Sequence, residues 1–356
     1  MKRIIAFVAL AALLLTTVLS GCAPRESQKD SKISVVCTIF PQYDWVRQIL
    51  GDRTEDIDVT LLLRNRIDLH NFQPSVDDII TISVCDLFIY VGGESDRWVE
   101  DALKGAVNKD MVVINLLDVL GDAAKIEELI EGMEDDDHDH DDDHDHDHDH
   151  DDDDDHDHDH DDDDDDDDDH DDHDDHETGY DEHVWLSLRN AKLFCAAITE
   201  ALSALDSGNA EEYRSNLTSY VEKLSALDLQ YQAAVNSSPV STLLFGDRFP
   251  FRYLVDDYGL SYYAAFVGCS AETEASFDTI IFLATKVDEL SLKYAMVTES
   301  SDRKIAETVI RESKGSGQSI LVLDALQSVT SDDVARGATY LSIMESNLKI
   351  LIEALS

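Results

Sequence analysis

Residues 210–236 read AEEYRSNLTSYVEKLSALDLQYQAAVN and contain neither glycine nor proline. Apolar or aromatic side chains fall at Tyr213, Leu217, Tyr220, Val221, Leu224, Leu227 and Tyr231. Steps of three and four residues gather them on one side of an α-helix. At 1.5 Å rise per residue an unbroken helix here is about 40 Å long, enough to run the length of a small domain. The pattern changes on both sides of it. Upstream, residues 33–39 (ISVVCTI), 57–63 (IDVTLLL), 84–92 (VCDLFIYVG) and 111–116 (MVVINL) are short runs rich in Val and Ile, with amphipathic stretches at 43–50 and 97–106. Downstream, apolar runs at 242–245, 260–266, 294–298 and 320–324 alternate with helical patterns at 277–290, 302–313 and 339–355. Short apolar strands alternating with helices predict a parallel sheet covered by helices. The chain therefore reads as two parallel-sheet α/β lobes, 33–209 and 237–356, joined by one long helix. Such a connection is stiff, unlike a Gly/Ser linker, so little opening and closing of the lobes is expected.

The formal charge of −51 over 356 residues is not evenly spread. A tract from Glu134 to Glu177 consists only of 30 Asp, 2 Glu and 12 His, and it holds 32 of those 51 negative charges. With no apolar residue and with repelling charges it forms no core and reads as a solvated loop. The remainder is moderately acidic, which excludes a nucleic-acid partner. At the other extreme of polarity, Met1-Lys2-Arg3 precedes an apolar run at 4–19 that ends in Leu19-Ser20-Gly21-Cys22. The run is short of the ~20 residues of a membrane span and reads as a secretory signal. Its last four residues resemble a bacterial lipobox, so residues 1–22 are expected to be a lipoprotein signal with Cys22 lipidated, anchoring an extracytoplasmic protein to the membrane. Residues 23–32 are a polar tether. The remaining cysteines, Cys37, Cys85, Cys195 and Cys269, form no CxxC pair and no zinc-ribbon spacing, so a structural role is expected for each.

Histidine use points to metal. The tract takes His138, His140, His144, His146, His148, His150, His156, His158, His160, His170, His173 and His176. The two left over occupy matching pentapeptides, Asp68-Leu69-His70-Asn71-Phe72 and Asp181-Glu182-His183-Val184-Trp185. Imidazole is the commonest transition-metal ligand and carboxylate its usual oxygen partner. Each histidine lies between a strand and the next element, where open α/β sheets place their sites, and each has an aromatic two residues on to wall a dry cavity. Carboxylates at the ends of second-lobe strands, Asp247, Glu299 and Asp324, are candidates to complete a cation site between the lobes.

These segments resemble the metal-binding lipoproteins of bacterial ABC importers for zinc and manganese. Asp68-Leu69-His70-Asn71-Phe72-Gln73-Pro74 is similar to that family's Asp-Pro-His-x-aromatic-Glu-Pro segment. Asp181-Glu182-His183-Val184-Trp185-Leu186-Ser187 is similar to its Asp-Pro-His-x-Trp-Leu-Ser block, and Leu323-Asp324-Ala325-Leu326 to its Leu-Asp-Pro-Leu. Residues 340–355 resemble its closing helix, and an acidic, His-rich loop before the second block is typical of its zinc branch. The chain departs from the pattern where Leu69 and Glu182 replace prolines. It departs again where the third family ligand, ten residues before Tyr258-Gly259-Leu260, falls on Arg248, which has no free lone pair. The adjacent Asp247 is the nearest acceptor, with Pro250 accounting for a one-residue shift. The resemblance thus implies His70, His183, Asp247 and Asp324 as ligands, with Glu299 as alternate to Asp247. It also implies a cargo of Zn(II), with Mn(II) as the alternative, an ABC permease membrane subunit as partner, and a monomer. Two imidazoles and two carboxylates suit either metal, but the tract's imidazoles favour zinc in the Irving–Williams order and suit auxiliary capture. A surface metal buffer or adhesin is the rival binding role. A metallohydrolase is the rival enzyme, but the chain has no HExxH, no Gly-x-Ser-x-Gly elbow and no phosphate-binding glycine loop, so no catalysis is expected.

Overall fold

In the first lobe of the computed structural model, β1 (Ser34–Cys37) pairs in parallel with β2 (Asp58–Leu61) on one side and β3 (Leu87–Tyr90) on the other. Strand β4 (Val112–Asn115) completes a four-stranded sheet of order β2-β1-β3-β4. The model describes residues 32–64, 68–134, 179–270 and 274–356, so Cys22 and the twelve tract histidines lie outside the described residues. Strands β5 (Thr242–Phe249), β6 (Ser261–Val267), β7 (Tyr294–Thr298) and β8 (Ser319–Leu323) repeat the arrangement as β6-β5-β7-β8, again all parallel. The fold is the two-lobed α/β architecture that the alternating pattern predicts.

Local sequence explains most of the helices. α1 (Phe40–Leu50) carries Pro41 in its first turn, where the missing N–H costs nothing. α2 (Val76–Val84) overlaps the expected strand 84–92 at Val84. A capping box between Ser75 and Asp78 starts this helix, so the strand expected from residue 84 begins only at Leu87. α3 (Trp98–Lys104) and α4 (Leu116–Leu120) finish the first sheet's cover. α5 (Leu188–Leu205) starts on the Ser187 cap directly after the His183 block. α6 (Ala210–Ser237) is the long helix, and it buries Tyr213, Tyr220, Leu224, Leu227 and Tyr231 along one face. α7 (Arg252–Tyr258), α8 (Phe277–Glu289), α9 (Lys304–Glu312), α10 (Ser331–Ala335) and α11 (Tyr340–Ala354) belong to the second lobe in sequence.

In space that division is blurred. One apolar core runs from Val35, Trp45 and Phe88 through Trp185 and Phe194 to Phe245, Tyr340 and Leu351, so the two lobes share it. A smaller cluster around Leu244, Leu283, Val297 and Val309 belongs to the second lobe alone. Buried hydrogen bonds cross the junction. The Trp185 indole donates to Ala325 O (2.9 Å), the Tyr340 hydroxyl to Trp185 O (2.7 Å), and the Tyr340 N–H to the Asp44 carboxylate (2.9 Å). The expected stiffness therefore has a second source besides α6: opening the lobes would expose core.

Strand β5 departs from its expected length. It was expected to stop at Phe245 but continues to Phe249, with an irregular register between Phe245 and Arg248. Asp247 consequently lies within the strand and not beyond it. Gly246 permits this, because a Cβ there would stand 2.5 Å from Ala306 Cα and 2.7 Å from Ala306 N in α9. Backbone cannot yield as a flexible side chain can, so Gly246→Ala is expected to destabilise the protein by about 1–3 kcal/mol or more. Urea denaturation measures this, and a variant of unchanged stability would show that α9 can retreat from β5.

Candidate metal centre

Each Asp-x-His pentapeptide folds into the same local device. A one-turn 3-10 segment, Leu69–Asn71, follows β2, and Asp68 Oδ1 accepts the His70 N–H (3.1 Å). Another, Val184–Leu186, follows His183, and Asp181 Oδ1 accepts the His183 N–H (2.8 Å). An aspartate two residues before each histidine thus ties down the backbone that carries it. In the second case the same oxygen also lies 3.0 Å from the ring Nδ1.

The two rings meet with Nε2 atoms 3.2 Å apart. His183 is fully buried, and the His70 side chain is 7% exposed. On its far side each ring faces a carboxylate, joined at His70 by a hydroxyl. His183 Nδ1 faces the Asp181 carboxylate; His70 Nδ1 faces Ser95 Oγ (2.9 Å) and Glu182 Oε2 (3.3 Å). Glu182 is itself held, its Oε1 accepting the Ser95 N–H (2.8 Å). A carboxylate at Nδ1 draws the ring proton there and leaves the lone pair on Nε2. Two such lone pairs pointing at each other repel unless a cation lies between them. Two nitrogen ligands of a tetrahedral zinc, each at about 2.0–2.1 Å, stand about 3.3 Å apart, close to the separation seen.

Charge around the pair is negative. Burial alone would push the His183 pKa down, but the Asp181 hydrogen bond and the charges of Asp181, Glu182 and Glu127 outweigh it and raise the value. Burial would push the Glu182 carboxyl up, yet His70 and Ser95 hold it below its usual range. Asp68 is likewise held low against burial, chiefly by the Arg248 guanidinium. That guanidinium pairs with Asp68 Oδ2 across the lobes at 2.6 Å and donates to Ser270 O at 3.3 Å.

The carboxylates singled out in the sequence are not brought to this pair. Asp247 braces two strands: its Oδ2 accepts the Thr298 N–H (2.9 Å) and hydroxyl (2.7 Å), and its Oδ1 accepts the Arg248 N–H (2.8 Å). Glu299 accepts the N–H groups of Ala325 (2.7 Å), Gln327 (3.1 Å) and Ser328 (3.2 Å), which hold the turn after β8. Asp324 accepts the Leu326 N–H (2.8 Å), and burial with Glu299 beside it pushes its carboxyl up to about 7. Asp324 and Glu299 line a separate cavity of about 650 Å³ with Ser328 and Asp333. Among the described residues, the ligand-capable atoms that gather within 4.8 Å of one another are those of His70, His183 and Cys269. Glu182 and Cys269 are the participants that spacing does not reveal. Glu182 stands in the sequence as a missing proline, and Cys269 pairs with no other cysteine.

Two like α/β lobes meeting at a buried imidazole pair are the architecture of a two-lobed solute-binding protein. The chain belongs to the ZnuA family, described as the periplasmic component A of a zinc-uptake complex, whose model matches residues 35–354. That family is one of binding proteins and not of enzymes. The chain is 26% identical over 330 residues to the zinc-binding protein AdcA of Streptococcus pyogenes, covering 90% of this chain and 56% of that one. It is 29% identical over 351 residues to the high-affinity zinc uptake system protein ZnuA of Bacillus subtilis, covering 98% and 96%. The chain thus spans about half the length of the AdcA relatives and nearly all of the Bacillus one. Its fold is similar to the crystal structure of Zn(II)-bound AdcA from Streptococcus pneumoniae (TM-score 0.65, 25% identity, 91% of this chain and 58% of that one). It is equally similar to the metal-dependent lipoprotein YcdH of Bacillus subtilis (TM-score 0.65, 25% identity, 91% and 100%).

The grip of Asp181 on His183 has a measurable sign. The folded-state pKa is raised above the unfolded value of about 6.5, so the pair's contribution to stability is complete below that value. It is lost as pH rises through the folded-state value. In metal-free protein, Asp181→Asn is expected to lower the His183 pKa in an imidazole NMR titration and to flatten stability against pH in this range. An unchanged titration would place the source of the shift elsewhere.

Proposed function

We propose that the protein captures Zn(II) outside the cytoplasm and passes it to the membrane subunit of an ABC permease, anchored meanwhile by a lipid on Cys22. The observation that carries this reading is the pair of opposed Nε2 atoms 3.2 Å apart, each backed by a carboxylate at Nδ1. Neutral imidazoles so arranged bind a borderline-soft cation through nitrogen, and the Irving–Williams order then favours zinc over manganese. Membership of a zinc-uptake family and likeness to the zinc-binding AdcA and ZnuA relatives support the same cargo. His70 and His183 are the ligands in this proposal. Asp247 and Glu299 are engaged in holding the second lobe, and Asp324 lines a separate cavity.

The acidic tract is given an auxiliary part. Its ends are secured at the walls of the site: the Glu134 N–H donates to Ala265 O (2.9 Å), and Gly179 O accepts the Glu127 N–H (2.9 Å). Twelve imidazoles tethered there collect cations weakly and raise their concentration beside His183.

Competition against a chelator tests the reading. Without residues 134–177 the protein is expected to keep one tight zinc equivalent that manganese at equal concentration does not displace, while the full chain binds further weak equivalents. His70→Ala in the shortened protein is expected to weaken zinc by more than about a hundredfold, beyond what losing a supporting partner costs. Tight zinc binding after that substitution would exclude the imidazole pair, and an unchanged stoichiometry on removing the tract would exclude auxiliary capture. Zinc affinity should also fall as pH drops through the raised His183 value, because a protonated imidazole cannot ligate. Affinity that holds steady through that range would count against His183.

A further inference from the structure

The imidazole pair supplies two ligands, whereas zinc sites in proteins take at least three from the chain. The Cys269 Sγ lies with one ring nitrogen of each histidine in a group whose atoms are all within 4.8 Å of one another. Resting on the zinc-binding reading above, we propose that the Cys269 thiolate is the third protein ligand, completing a His2Cys site that prefers zinc to manganese.

The turn after β6 is shaped to hold the thiol there. The Cys269 N–H donates to Glu127 Oε1 (2.8 Å), which fixes the residue from the first lobe's side. Gly268 lets the turn lie against the imidazole, since a Cβ on it would stand 3.1 Å from His183 Nδ1 and 2.9 Å from Phe249 O. Arg248 closes the arrangement. It donates to the carbonyl of Ser270, the residue after the thiol, and pairs with Asp68, whose other oxygen holds the His70 N–H. One guanidinium therefore ties the cysteine turn of the second lobe to the histidine turn of the first.

Of the rival donors, Asp324 lines the separate cavity beside Glu299, and the other two are engaged elsewhere. Asp247 is bound to Thr298, and Glu299 to the turn after β8. The other described cysteines, Cys37, Cys85 and Cys195, are buried in the shared core, while Cys269 is partly exposed. On binding, the Zn–S bond forms as the S–H bond breaks and the thiol proton leaves to water; an imidazole that is already neutral releases none, and a protonated one gives its proton to water before it ligates. The fourth position falls to water. A soft thiolate favours zinc strongly, whereas manganese prefers carboxylate and water oxygens.

Cobalt(II) reports on this ligand directly, because the tract contains no cysteine. The full chain loaded with one cobalt equivalent is expected to show a thiolate-to-cobalt charge-transfer absorption in the near ultraviolet. The band should be lost in Cys269→Ser and kept in Cys22→Ser. Zinc affinity by chelator competition should fall at least roughly tenfold in Cys269→Ser, while manganese affinity changes little, so that the preference for zinc narrows. If cobalt binds to wild-type protein without that band, the thiol is not a ligand, and no variant is needed to reach that result. If His70→Ala abolishes tight zinc binding but Cys269→Ser leaves it unchanged, this inference fails while the function proposed above stands. If wild-type protein binds no zinc tightly, both fail.

Discussion

Two imidazole nitrogens facing each other across 3.2 Å share either a hydrogen bond or a cation, and when both carry lone pairs only the cation is left. The surrounding structure sustains this opposition. Asp181 grips His183 by backbone and ring, while Glu182 and Ser95 take the far nitrogen of His70. Carboxylates beside each Nδ1 favour the proton there, and with the protons so placed the Nε2 lone pairs converge. A buried proton or metal ion is the physical answer to such a geometry, and the carboxylates of Asp181, Glu182 and Glu127 favour positive charge there, raising the His183 pKa against burial.

Convergence also requires the lobes to keep their places. The shared core and the hydrogen bonds of Trp185 and Tyr340 across the junction make the two sheets parts of one packed body. The residue at the centre of that junction, Trp185, is two positions from His183, so the block that packs the lobes together is the block that carries the imidazole. Arg248 contributes from the other side by pairing with Asp68. A cation held here is held by a preformed site, with little of its binding energy needed to close the molecule.

Much of this was legible in the sequence, for identifiable reasons. The long helix follows from uninterrupted three-and-four spacing, and its buried tyrosines and leucines lie where that spacing sets them. The two Asp-x-His blocks announce themselves because histidine is otherwise confined to the acidic tract, and their aspartates act locally, two residues from the groups they hold. Less legible were effects with distant causes. The strand expected from residue 84 starts only at Leu87 because helix α2, begun by a capping box at Ser75, runs to Val84, and β5 overruns its expected end because Gly246 admits α9. Asp247 became a brace within that strand and not a free carboxylate at its end.

The sequence by itself determined the alternation of strands and helices, the stiff connection and the identity of two histidines as the residues to watch. Those properties depend on periodicity and on neighbours within a few positions. Only the tertiary structure decided what stands beside the histidines. Glu182 reaches His70, Arg248 reaches Asp68, and Cys269 arrives from the far lobe, over separations of 112, 180 and 86 residues respectively between Glu182 and His70, Arg248 and Asp68, and Cys269 and His183. No local rule links such positions; packing of the two sheets around one core does.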